Sequence, residues 1–103
     1  MGAEIILNDT LQITREQGFP EELELDKEYS FEKEKRRLYR LPPVRVFLAE
    51  NKDGTWDYRG EALVTEMNII SKGDGKTVGK FKIVKVYSEE HRKVMNENMQ
   101  PAQ

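Results

Sequence analysis

Apolar and polar residues alternate along several short stretches of this chain, and turn-forming residues separate the stretches. Tyr29 and Phe31 alternate with Glu28, Ser30 and Glu32, as the residues of a half-buried strand do. No segment shows the wider spacing of apolar residues that a long amphipathic helix requires. We therefore expect an all-β, mainly antiparallel fold. It should be a small single-domain barrel or sandwich of six to seven strands with one short C-terminal helix.

The predicted strands lie between turns rich in glycine, proline, asparagine and aspartate. They occupy residues 4–14, split in two at Asn8-Asp9, and the ranges 28–32, 37–41, 44–50, 56–70 and 80–87. Asn51-Lys52-Asp53-Gly54 has the chemistry of a hairpin turn, so strand 56–70 should pair antiparallel with strand 44–50. We predict a second hairpin closed by Glu32–Arg36, a bend at Gly60, and a mobile glycine-rich loop over 71–80.

One hydrophobic core is expected, because 103 residues of which 37% are hydrophobic cannot build two. The domain should span residues 1–95, with Ser88 as the N-cap of the terminal helix, and residues 96–103 should be disordered. The predicted core consists of the apolar positions that keep one parity within their strands: Leu11, Ile13, Tyr29, Phe31, Val46, Leu48, Trp56, Tyr58, Val64, Phe81 and Ile83. For Trp56 and Tyr58 a ligand-facing position stays open as the alternative.

The composition leaves few kinds of catalytic or metal site. The chain has no cysteine and one histidine, which excludes disulfides, thiolate catalysis and multi-histidine metal sites. Gly73-Asp74-Gly75-Lys76-Thr77 resembles the end of a phosphate-binding P-loop, but Ile70 stands where the first glycine of that motif belongs. We therefore expect no enzyme, no metal and no cofactor. No apolar run approaches the roughly 20 residues that span a bilayer, so we expect a cytoplasmic protein without membrane contact.

Charge is distributed unevenly along the chain. The formal net charge is −2, yet residues 1–32 sum to −7, residues 33–45 to +5 and the remainder to zero. One interpretation is that neighbouring acidic and basic strands neutralise each other across a sheet. The other is that the basic segment binds an anionic partner.

The basic segment is the predicted binding region. Its arginines are interleaved with Tyr39, which gives phosphate contacts beside an aromatic stacking plane. The candidate binding residues are Lys35, Arg36, Arg37, Tyr39, Arg40 and Arg45, and the lysines between 72 and 85 would extend the patch if the two strands are neighbours. The expected partner is RNA or DNA, bound weakly through electrostatic contacts. The alternative is a non-catalytic protein-interaction or accessory domain. It would dock another protein, or a second copy of itself, through the acidic N-terminal segment and the strand edges.

The sequence Tyr29–Pro42, followed by Val44–Glu50 and by Gly60-Glu61-Ala62-Leu63-Val64, resembles the order of elements in small bacterial β-barrel proteins of unknown function. It is similar to the PUA-like barrels, which include the ASCH domains, over residues 27–87. The resemblance implies a pseudobarrel and binding of RNA or of a modified base. The glycine-lysine-lysine-threonine signature of ASCH enzymes is absent, so the resemblance implies no catalytic residue.

Overall fold

The computed structural model describes residues 7–99, which form a curled five-stranded sheet and one helix. The elements are β1 (Thr10–Ile13), β2 (Glu28–Glu34), β3 (Val46–Lys52), β4 (Thr55–Ile70), β5 (Lys76–Val86) and α1 (Glu89–Asn98). A mostly β chain with one short C-terminal helix is therefore confirmed. The number of strands is five, and the prediction of six to seven was wrong.

The sheet is a half-barrel with the strand order β1-β3-β4-β5-β2. β1 pairs with β3 in parallel orientation, whereas the other neighbours are antiparallel, so the sheet is mixed and the expectation of a mainly antiparallel sheet is corrected. Alternation of residue types identifies a strand but not the direction of its partner, and the sequence therefore held no signal for the parallel pair.

One missing strand is the segment predicted after β2. Residues 37–41 form only an isolated bridge, between Tyr39 and Asn8, and β2 pairs with β5 instead of forming a hairpin with them. Lys35 has a φ of 68°, which turns the chain away from β2 before a hairpin partner can align. The other is the first half of the strand predicted over 4–14: its residues 4–6 lie outside the described residues, and Asn8 forms only the bridge to Tyr39.

The hairpin between β3 and β4 forms as predicted. Asp53 and Gly54 have φ angles of 51° and 88°, and the Asn51 side chain accepts a hydrogen bond of 2.9 Å from the Gly54 backbone N–H. The register with β3 and β5 shifts on either side of Gly60. A Cβ atom at Gly60 would lie 2.2 Å from the Lys85 backbone oxygen, so glycine is required where β4 passes β5. The loop predicted over 71–80 is shorter, because β5 already begins at Lys76.

The core follows the predicted parity closely. Nine of the eleven predicted positions are buried, while Tyr29 and Trp56 are only partly buried against the two apolar clusters. Five further apolar residues are buried that the parity argument omitted: Phe19, Tyr39, Ala49, Ala62 and Tyr87. Tyr58 belongs to the second cluster, with Ala49 and Tyr87, on which α1 packs through Met95.

Helix α1 begins as the sequence predicts. The Ser88 hydroxyl accepts a hydrogen bond of 3.2 Å from the His91 backbone N–H. The helix continues to Asn98, so the part of the predicted disordered tail that the structure describes is ordered up to that residue. Asn96 and Arg92 both donate hydrogen bonds of 2.9 Å to the Asp57 carboxylate on β4. Residues 100–103 lie outside the described part of the chain.

Candidate functional site

The first part of the basic segment is anchored at the end of the sheet. The Lys35 backbone N–H donates to the Gly75 backbone oxygen at 2.9 Å, and the Arg37 backbone N–H donates to the Thr77 hydroxyl at 2.7 Å. That hydroxyl is fully buried and also donates to the Lys35 backbone oxygen at 3.1 Å. Residues 35–37 are therefore held against the start of β5, which fixes the position of their backbone.

The later arginines of the segment are neutralised by carboxylates. Arg40 forms an ion pair with Asp9, and Arg45 forms one of 3.4 Å with Glu61. Both are exposed pairs of the kind that contributes little to stability. Each pair nevertheless has no net charge, so Arg40 and Arg45 add no net positive charge to the surface that an anionic partner would contact.

Tyr39 is a core residue. Its ring is 2% exposed and packs edge-on against Phe31, with 5.8 Å between the ring centroids. Burial raises the pKa of the Tyr39 hydroxyl to about 12. The ring offers no face to a base, so it cannot serve as the stacking plane that the sequence suggested.

Lys35, Arg36 and Arg37 have no carboxylate partner among residues 7–99. The Arg36 side chain crosses the turn between β4 and β5, where its guanidinium lies 3.5 Å from the Ser71 backbone oxygen. The next residue in that turn is Lys72, whose backbone oxygen accepts from the Gly75 N–H at 3.1 Å. We call these four residues, Lys35, Arg36, Arg37 and Lys72, the basic corner.

The lysines of β5 face acids rather than extending the basic corner. Glu28 lies opposite Lys82 and Glu34 opposite Lys76 in the register of β2 and β5. Lys76 also forms an ion pair of 3.1 Å with Glu32. Acidic and basic strands do therefore pair across the sheet, as one of the two sequence interpretations proposed. The basic partner is β5, however, and not the segment 33–45.

Both edge strands are engaged within the chain. The Lys33 ammonium on β2 donates to the Gln12 backbone oxygen on β1 at 2.8 Å, and the Glu32 backbone N–H donates to the Gln17 backbone oxygen at 2.8 Å. These contacts link β2 to β1 and to the segment that follows β1. They occupy backbone groups that edge-to-edge docking of a partner strand would need.

Lys33 belongs to the basic segment but was not among the predicted binding residues. It is only 4% exposed, and burial, reinforced by the charge of Arg37, lowers the pKa of its ammonium to about 8. It lines a cavity of about 330 Å³ at the mouth of the half-barrel. One signal was present in the sequence: Lys33 shares the parity of Tyr29 and Phe31, which places it on the inner face of β2.

The remaining motifs have structural roles. The Gly73–Thr77 motif forms the turn and the first residues of β5, not a strand-to-helix phosphate loop. His91 stacks on Tyr87 with 3.9 Å between ring centroids, and the Tyr87 hydroxyl donates to the Glu61 carboxylate at 2.8 Å.

Within residues 7–99 no group of three or more His, Cys, Asp or Glu side chains is placed to hold a metal ion. In the same range no helix has the length and apolarity needed to cross a membrane.

Buried Glu50 is a second ionic feature that the sequence did not reveal. Its carboxylate is 3.0 Å from the Arg15 guanidinium and 3.6 Å from that of Arg59. Arg59 in turn lies over the Phe19 ring. Because each charge in this group has an opposite charge beside it, we regard the group as part of the structure rather than as a site.

The chain matches no protein-family model, and neither the curated proteins nor the solved structures give a match for it. No binding or catalytic residue is therefore carried over from the PUA-like barrels that the sequence resembles.

Proposed function

We propose that this protein is a small binding module that holds RNA or DNA, through phosphate contacts, at the basic corner. The observation that carries the proposal is that Lys35, Arg36 and Arg37 lack carboxylate partners among residues 7–99, whereas Arg40 and Arg45 have them. Unpaired cations on an anchored backbone meet a phosphate without first breaking an ion pair.

The kind of recognition follows from the residues present. Arginine and lysine contacts to phosphate are independent of base sequence. With the Tyr39 ring buried, the corner has no aromatic plane for base stacking from the predicted segment. Binding should therefore be weak, tolerant of sequence and sensitive to salt. Three or four phosphate contacts correspond to a slope of about −2 to −3 in log K against log salt for a single strand.

Retention on immobilised poly-uridine at about 50 mM salt tests the proposal, since electrostatic binding is favoured there. The variant Lys35→Glu/Arg36→Glu should elute at lower salt than the parent, with its thermal midpoint unchanged, because both side chains are exposed. The charge-matched control is Lys80→Glu/Lys85→Glu, two exposed residues of β5. Because these lysines lie opposite Glu66 and Glu61, the control should be less stable than the parent, and retention is compared at a temperature at which all three proteins are folded. The control should elute like the parent. A parent protein that is not retained, or equal losses in both variants, would contradict the proposal.

The outer face of β2 and β5 supports a second candidate function. Its alternating acids and lysines, such as Glu28 opposite Lys82, form a chequered surface of the kind that suits a protein partner better than a polyanion. Capture from native lysate with and without nuclease separates the two candidates. Nuclease should release the captured material if the basic corner binds nucleic acid, and should leave it in place if the β2–β5 face docks a protein.

A further inference from the structure

Lys33 is a buried cation whose hydrogen-bonding capacity is only partly used. Its ammonium carries three N–H donors, and within residues 7–99 the one acceptor is the Gln12 backbone oxygen at 2.8 Å. No carboxylate in that range forms an ion pair with it. Lysine is rarely buried without a paired charge, because removing an ammonium from water is costly. An additional acceptor beside Lys33 would offset that cost.

The cavity beside Lys33 has room for such an acceptor. It has a volume of about 330 Å³, at the lower end of the range for small-molecule sites, and is open at the mouth of the half-barrel. Its lining contains no aromatic and no large apolar side chain: Thr14, Glu16, Gln17, Glu32, Lys33, Glu34 and Lys76. A small, strongly polar ligand fits this lining.

Charge is arranged by depth in this cavity. Among the charged residues of the lining only Lys33 is buried, so the floor is positive. The exposed residues at the rim are acids, apart from Lys76, which Glu32 neutralises at 3.1 Å. Glu16 and Glu34 are left as net negative charge at the rim. The floor therefore suits an anionic group and the rim a cationic one.

We propose that this cavity binds a small zwitterion of the α-amino acid class, with its carboxylate on the Lys33 ammonium and its own ammonium beside Glu16 and Glu34. The proposal goes beyond nucleic-acid binding, since none of the four residues of the basic corner lines the cavity. It assigns to Lys33 a role that the hydrogen bond to Gln12 alone does not require.

Binding of a carboxylate should depend on the charge of Lys33. The pKa of the free ammonium is about 8, so most molecules carry the charge at pH 6.5 and only a minority at pH 8.5. The carboxylate binds the charged form, and affinity should therefore fall by roughly fourfold between those pH values. The other charged groups that face Lys33 or line its cavity are Arg37, Glu34, Glu16, Glu32 and Lys76.

The test uses the free amino acids, added one at a time to the full chain at up to about 10 mM, a range that includes weak millimolar binding. Backbone amide shifts in nuclear magnetic resonance spectra report the site. At least one amino acid should give saturable shifts at Thr14, Gln17 and Lys33. Its carboxamide derivative should lose binding at least tenfold, and its N-acetyl derivative severalfold, because each removes one of the two charges.

The matched variants are Lys33→Met, which keeps the aliphatic stem but removes the ammonium, and Lys80→Met, whose side chain is exposed. Binding should be lost in the first and kept in the second. The absence of saturable shifts with every amino acid, or full binding by Lys33→Met, would overturn the proposal. Equal binding of the carboxamide or N-acetyl form would also overturn it, and this comparison on the parent protein decides the matter even if Lys33→Met does not fold. The two proposals are tested separately: a parent protein that is not retained on poly-uridine contradicts nucleic-acid binding but leaves the amino-acid results unchanged.

Discussion

The Lys33 ammonium on β2 donates a hydrogen bond of 2.8 Å to the Gln12 backbone oxygen on β1, and this contact joins the two edge strands of the curled sheet. A charged side chain therefore stands where a closed barrel would have a ladder of backbone hydrogen bonds. The same side chain lines the cavity at the mouth of the half-barrel. The contact between the two edge strands and the proposed ligand site thus share one residue.

The first prediction concerns the pH dependence of stability. The folded-state pKa of Lys33, about 8, lies below its ordinary value of 10.5, mainly because of burial. Between these values the unfolded chain binds more protons than the folded one, so the contribution of Lys33 to stability rises with pH from about 8 to 10.5. Below pH 8 the buried charge disfavours folding.

The variant Lys33→Met isolates this effect, because all other titrating groups are shared. Replacing a buried, unpaired charge by an apolar group of similar volume is often neutral or stabilising. In urea unfolding, the parent should therefore gain free energy of unfolding relative to Lys33→Met as the pH rises from 7 to 10. A difference between the two proteins that stays constant over this range would contradict the assigned burial of the charge.

The second prediction tests the anchor of the basic corner. In Thr77→Val the Arg37 backbone N–H loses the hydroxyl that accepts it at 2.7 Å, while the shape of the side chain is kept. Leaving that group unpaired should lower the free energy of unfolding by about 1–3 kcal/mol. Salt-dependent retention on poly-uridine should weaken as well, because residues 35–37 are no longer held in place.

Thr65→Val is the control for this substitution. Thr65 is an exposed residue of β4 whose hydroxyl contacts the Glu28 carboxylate at 2.7 Å. Its loss should change the free energy of unfolding by no more than about 0.5 kcal/mol. Equal effects of the two substitutions, measured by urea unfolding, would show that the Thr77 hydroxyl does not anchor the segment.

Local patterns in the sequence were sufficient for the features that depend on neighbouring residues. The turn at Asp53-Gly54, the cap at Ser88 and most of the core positions were predicted because each is determined by side-chain chemistry or by parity within one strand. The number of strands is smaller than predicted because of a contact between residues that are far apart in the sequence. Residues 37–41 alternate as a strand does, but the buried Thr77 hydroxyl, 40 residues away from Arg37, holds the chain in another path.

The same limit applies to the candidate site. Counting charges identified the segment 33–45, but it could not separate Lys35 and Arg36, which are unpaired, from Arg40, which Asp9 neutralises across 31 residues. It also could not place Tyr39 in the core, since a lone tyrosine among arginines is equally compatible with stacking and with burial. Whether an arginine is paired or a tyrosine is buried depends on contacting residues that are distant in the sequence.

The third prediction tests the pairing of charges between β2 and β5. Lys82→Glu places two like charges opposite each other, because Lys82 faces Glu28 in the register. The free energy of unfolding should fall by about 0.2–1 kcal/mol. In Lys82→Glu/Glu28→Lys the pair is restored with reversed signs, and most of the loss should be recovered. Additive effects in this double-mutant cycle would contradict the cross-strand interaction.

The fourth prediction concerns the aromatic cluster beneath α1. Tyr58 is 2% exposed and packs edge-on against Phe47, with 6.1 Å between ring centroids, whereas Trp56 is only partly buried beside it. Tyr58→Ala should therefore cost about 3–5 kcal/mol, as expected for removal of a buried aromatic ring. Trp56→Ala should cost less, about 2 kcal/mol, although tryptophan is the larger side chain.

Urea unfolding followed by circular dichroism measures both variants without relying on the fluorescence of the tryptophan that one of them lacks. Poly-uridine retention of Trp56→Ala provides a second comparison. It should equal that of the parent, because Trp56 belongs to the cluster with Ala49, Tyr58 and Tyr87 rather than to the basic corner. If the substitution left stability unchanged but reduced retention, Trp56 would be a base-stacking residue. The binding surface would then have to include the start of β4, beside the turn that joins it to β3.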